Sequence, residues 1–87
     1  MPYTKYIIRK PRVKEVDLSK ENALGFAYQD DFEIEIEPNQ SSKEYLNTLI
    51  HEMLHCFFPE LKENQITKLA DIMAENIWKK SYRRIKK

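Results

Sequence analysis

Glycine is almost missing from this chain: Gly25 is the only one in 87 residues. No stretch is low in complexity, and none reads as a linker between two domains. Cysteine is as scarce. Cys56 stands alone, which excludes an internal disulfide and fits a reducing compartment. No apolar run approaches the roughly 20 residues that span a bilayer, so no membrane partner is expected. The opening Met-Pro-Tyr-Thr-Lys-Tyr lacks the apolar core of a signal peptide. Together these absences predict a cytoplasmic protein. The chain also lacks a large charge imbalance. A formal net charge of +1 names no partner, and the oligomeric state is left open.

What is present is the composition of a folded domain. The chain is 41% hydrophobic and 33% charged, which suits a soluble globular protein rather than a disordered one. Its length allows one domain, residues 1–87, with a modest core. A domain this small gains from any extra constraint, and a bound metal is one. Charge is segregated along the chain. Lys5, Arg9, Lys10, Arg12 and Lys14 make the beginning basic, Asp30, Asp31, Glu33, Glu35 and Glu37 make the middle acidic, and Lys79, Lys80, Arg83, Arg84, Lys86 and Lys87 make the end basic again.

The periodicities predict strands first and helices after. Tyr3 to Lys10 reads as a strand ended by Pro11, and Val13 to Leu18 as a short extended piece or turn. Gly25 to Gln29 reads as a further extended segment, followed by a turn at Asp30-Asp31. Phe32, Ile34 and Ile36 then alternate with Glu33, Glu35 and Glu37, the period of a strand with one apolar and one acidic side. Ser41 and Glu44 have capping-box spacing and open a helix that should run to Phe58 and stop before Pro59. Ile66, Leu69, Ala70, Met73 and Ile77 mark a second helix from Glu63 to the low eighties. This order predicts an α+β fold in which an active-site helix and a C-terminal helix pack on a small antiparallel sheet.

The chain has two histidines, and they stand in His51-Glu52-Met53-Leu54-His55. Residues i and i+4 share one face of a helix, so both imidazoles can converge on one ion. Two histidines placed at random in this length fall four apart about 2% of the time, and a following glutamate lowers this to about 0.3%. Glu52 lies about 100° around the helix from His51, beside an ion rather than beneath it. There its carboxylate can act as general base toward a water whose pKa zinc lowers to about 7. Leu46, Leu49, Ile50, Met53, Leu54 and Phe57 fall about 160–300° from His51, on the opposite face. That stripe should pack on the sheet and leave the histidines to line a cleft.

No third histidine exists, so a carboxylate is the natural third ligand. Glu60, Glu63, Asp71 and Glu75 are the candidates. On a wheel that sets Ile66 at zero, the apolar stripe clusters within about 60°, and Glu63 lies near its edge. Asp71 and Glu75 lie at about 140° and 180°, pointing away. Glu60 precedes the helix and is unconstrained. Glu63 is therefore favoured, with Glu75, Glu60 or no protein ligand as alternatives; a first-turn glutamate also simply complements a helix dipole.

The strand Phe32-Glu33-Ile34-Glu35-Ile36 followed by Leu46-Asn47-Thr48-Leu49-Ile50-His51-Glu52-Met53-Leu54-His55 resembles the active-site core of zincin metallopeptidases. It is most similar to small SprT-like or minigluzincin-like proteins, many of them carried by phages and prophages. The segment Phe58-Pro59-Glu60-Leu61-Lys62-Glu63, with Ile66, Ala70 and Trp78 after it, also resembles the tails of such proteins, so the likeness spans about residues 25–82. It implies zinc held by His51 and His55, Glu52 as general base, hydrolysis of peptide bonds, and a strand above the cleft that aligns an extended peptide or protein substrate. The chain departs from the SprT pattern in lacking its third histidine. The thermolysin-like gluzincins place their glutamate farther downstream, which would select Glu75. A catalytically silent, zinc-stabilised accessory module is the alternative function.

Four further features have simpler readings. The basic C-terminal segment can contact nucleic-acid phosphates, but a solvated helix end with cations near the dipole is favoured. Cys56 lies about 140° from His51 on the wheel and reads as a buried thiol rather than a ligand. Trp78 and Tyr82, four apart, are expected to pack on each other or on the sheet. The glutamate row of the strand is expected to face solvent, or else to form an acidic edge.

Overall fold

Alternation builds the central strand. The computed structural model describes residues 8–85, with strands β1 (Arg12–Glu15), β2 (Gly25–Tyr28) and β3 (Glu33–Ile36). Ile34 and Ile36 are completely buried on the inner side of β3, while Glu33 and Glu35 project to the outer side. Phe32, expected in the strand, lies just before it in a left-handed conformation, φ 53°. That conformation costs about 1–2 kcal/mol. Burial of the ring, edge-on to Phe57 at 5.3 Å between centroids, offsets it.

The sheet is mixed rather than antiparallel. Its order is β1-β3-β2, with β2 antiparallel to β3 and β1 parallel to it. A parallel pair needs a long crossover. Here residues 16–32 supply it, passing through a 3-10 turn at Ser19–Glu21 and through β2 on the far edge. Charge favours the pairing. Lys14 Nζ lies 2.8 Å and Arg12 Nη2 3.6 Å from Glu33 Oε1, so the basic beginning and acidic middle of the chain become neighbouring strands. The glutamate row is therefore neither an edge nor simply solvated. The expected strand from Tyr3 to Lys10 lies mostly outside the described residues; residues 8–10 are irregular, and β1 begins after Pro11 instead of ending before it.

Helix α1 (Ser42–Phe57) starts as expected. The Glu44 backbone N–H donates to Ser41 Oγ, and the Ser41 N–H donates to the Glu44 carboxylate, both at 3.2 Å. Helix α2 (Glu63–Lys79) opens with the Lys62 N–H donating to Gln65 Oε1 at 2.9 Å. It ends earlier than its pattern suggests. Ser81 takes φ 68°, and the N–H groups of Lys80 and Ser81 turn back to the carbonyls of Ile77 and Trp78. Tyr82 thus falls outside the helix, and the expected contact with Trp78 is replaced by the Arg83 guanidinium, 3.5 Å above the Trp78 ring.

The two helices do not both cover the sheet. Leu49, Met53, Cys56 and Phe57 of α1 pack with Phe32, Ile34 and Ile36. Ile50 and Leu54 of α1, joined by Leu46, pack with Ile66, Ala70 and Ala74 of α2. The wide apolar stripe of α1 therefore serves two partners. The helix is the middle layer, with the sheet on one side and α2 on the other. Among the described residues no helix is long and apolar enough to cross a membrane.

Candidate metal centre

Beside its two packed sides α1 borders a groove lined by His51 and His55. Their imidazoles stack edge-on with centroids 4.9 Å apart, and their Nε2 atoms are 3.2 Å apart. The turn after α1 brings the third group. The Leu61 N–H donates to the Phe58 carbonyl at 3.0 Å, and Leu61 packs into the interhelical core. The chain reverses at Pro59 and starts α2 beside the last turns of α1. Glu63, its first residue, places Oε1 2.6 Å from His55 Nε2 and 3.2 Å from His51 Nε2, with Oε2 3.1 Å from His51 Nε2. The histidine side chains are 18% and 22% exposed and Glu63 66%, so the fold holds the rings while the carboxylate reaches in from the surface.

Among the described residues, His51, His55 and Glu63 present donor atoms within 4.8 Å of one another. The other carboxylates considered are engaged elsewhere or stand apart. Glu75 pairs with Lys79 at 3.3 Å, Asp71 accepts from Asn47 Nδ2 at 2.8 Å, and Glu60 lies exposed in the interhelical turn. The donor set fits zinc in kind and in spacing. Two imidazoles and a carboxylate are its ordinary ligands, and bonds of about 2.0–2.1 Å in a tetrahedron separate ligand atoms by about 3.3 Å. The contacts of 3.1–3.2 Å are close to that edge; the 2.6 Å contact is shorter and would open around an ion. The same atoms can instead form ion pairs between Glu63 and protonated rings.

Glu52 lies beside this cluster at the base of the cleft, 9% exposed. Burial pushes its carboxyl above the ordinary carboxylate range; the neighbouring imidazoles oppose the rise and Glu63 adds to it. Strand β2 forms the opposite wall with Gly25, Phe26 and Ala27, and Gln29 follows them. Gln29 Nε2 donates to the His55 carbonyl at 2.8 Å, occupying a carbonyl of the last helical turn and tying the end of β2 to the histidine helix. Gly25 and Gln29 were not picked out by motif or wheel. Only the solitary occurrence of glycine signals Gly25, and nothing local signals Gln29.

The remaining features are not part of the groove lining. Cys56 is 1% exposed, and burial together with the nearby Glu52 charge pushes its thiol up. Of the basic C-terminal side chains, Lys79 pairs with Glu75, Arg83 lies on Trp78, and Arg84 bonds to the Pro38 carbonyl and Glu15 while stacking on Tyr45. No protein-family model, curated protein or solved structure matches the chain. Its fold and site define an α+β protein with a histidine–histidine–glutamate cluster at a helix–helix junction and a buried glutamate alongside.

Proposed function

We propose that this chain is a minimal zincin-like, zinc-dependent metallopeptidase that hydrolyses a peptide bond in an extended peptide or protein segment. The observation that carries the reading is the convergence of His51, His55 and Glu63 donor atoms on one point, with the Glu52 carboxyl at the base of the same cleft. His51, His55 and Glu63 would hold the ion. When bound, zinc supplies Lewis acidity, which polarises a carbonyl and acidifies water. Glu52 takes the proton of the attacking water at its carboxylate and passes it to the leaving amine. Strand β2 supplies an open edge along the cleft.

The test is zinc analysis beside peptide hydrolysis. Wild type should bind one zinc ion and cleave a quenched-fluorescent library of extended peptides. Glu52→Gln should keep the zinc and lose roughly 10²–10⁴-fold of the rate. Full zinc occupancy without hydrolysis would sink the peptidase reading.

One observation favours a second reading, a zinc-stabilised accessory or regulatory module. The three donors come from two helices joined by a short turn, so one ion would cross-link α1 to α2. In that case Glu52→Gln is silent, and removal of His55 lowers the melting temperature.

A further inference from the structure

The chain's one glycine stands where β2 crosses α1. A β-carbon built on Gly25 would lie 2.8 Å from Thr48 Cγ2, 3.0 Å from Glu52 Cγ and 3.1 Å from Glu52 Oε2. Gly25 has no positive φ, so backbone conformation does not require glycine there. The requirement is room. Register makes the position hard to move. Gly25 pairs with Ile36, which is fully buried, and Gln29 ties the other end of β2 to His55. Among the described residues no hydrogen bond engages the Glu52 carboxylate. None of their fully buried side-chain oxygens lacks a partner, so the Glu52 oxygens keep contact with the cleft. A side chain not held by hydrogen bonds takes its orientation from what it packs against, and here that is the bare backbone of β2.

We propose that Gly25 is the positioning residue for Glu52, a role that rests on the peptidase reading above. The missing side chain lets the strand lie directly on the glutamate and aims its carboxylate toward the histidine groove. Any β-carbon pushes the flexible end of Glu52 away from that position, or opens the gap between β2 and α1. The atoms nearest to that β-carbon belong to Thr48 and Glu52 rather than to His51, His55 or Glu63, so the defect should fall first on the base.

The experiment uses the whole chain with zinc and the quenched-fluorescent peptide library. Gly25→Ala should bind zinc as wild type does, keep KM within about twofold and lose about 100-fold in kcat, the scale expected for a displacement of about 1 Å. Adding Thr48→Ser removes the nearest atom, Cγ2, and should not restore kcat. Wild-type kcat in Gly25→Ala, loss of zinc in step with activity, or rescue by Thr48→Ser would each overturn the proposal. Two measurements stand apart from activity. Wild-type NMR should show a strong nuclear Overhauser effect between the Gly25 α-protons and the Glu52 γ-protons, and its absence overturns the contact even if Gly25→Ala fails to fold. In thermal melts, Gly25→Ala should cost less in a Glu52→Ala background, whereas additive effects overturn it. If wild type binds zinc and cleaves nothing, the peptidase reading fails, and the melts still decide whether Gly25 holds Glu52.

Discussion

His55 and Glu63 meet across the junction of the two helices, with Nε2 of one 2.6 Å from Oε1 of the other. They are eight residues apart in sequence and belong to different helices. Only the reversal at Pro59 and the packing of Leu61 bring them together.

This contact separates the acidic side chains by role. His55→Ala and Glu63→Ala should weaken zinc binding by more than the roughly 10–100-fold expected for loss of an outer partner. Glu75→Ala should leave it unchanged, because Glu75 pairs with Lys79. Calorimetric titration of zinc into the three variants checks this. An effect of Glu75→Ala equal to that of Glu63→Ala would reassign the third ligand.

An ion held by both helices should also stabilise the fold. Zinc at 100 times its dissociation constant adds about 2.7 kcal/mol. For a domain of this size that corresponds to a melting shift of about 10–20 °C. Thermal melts with zinc and with a chelator measure it, and equal melting temperatures would argue against a zinc site.

The pairing of β1 with β3 should be sensitive to acid. The Lys14 ammonium, hydrogen-bonded to Glu33, holds the Glu33 carboxyl below its ordinary 4.5, with Arg12 adding to the effect. A depressed carboxyl stabilises the fold fully above the ordinary value, and the contribution is lost as pH falls through the lower folded value. Wild type should therefore melt above Glu33→Gln at neutral pH, and the two curves should converge in acid. A difference that persists in acid would show that Glu33 acts by something other than its charge.

Cys56 should be chemically quiet. Burial first, and the Glu52 charge second, raise its thiol above the ordinary 9.0. Alkylation by iodoacetamide should be slow in the folded protein and fast in denaturant. Rapid reaction under native conditions would mean that the α1–sheet interface opens.

Local periodicity made the helices and β3 legible. The Ser41–Glu44 cap, the start of α2 at Glu63 and the alternation through Ile34 and Ile36 are short-range patterns, and the structure follows them. The wheel of α2 also indicated Glu63, whose carboxylate meets both histidines. The wheel of α1 found its apolar stripe but could not divide it between two partners. Leu49 and Ile50 look equivalent in sequence, yet one packs with the sheet cluster and the other with α2.

By itself the sequence determined which residues share a helix face, because an α-helix repeats every 3.6 residues whatever surrounds it. That was enough to align His51 with His55 and set Glu52 beside them. Tertiary structure alone decided the strand order, the parallel pairing of β1 and the meeting of Gly25 with Glu52. These depend on contacts between segments far apart in the chain, where partner choice is settled by burial and charge pairing rather than by any local repeat.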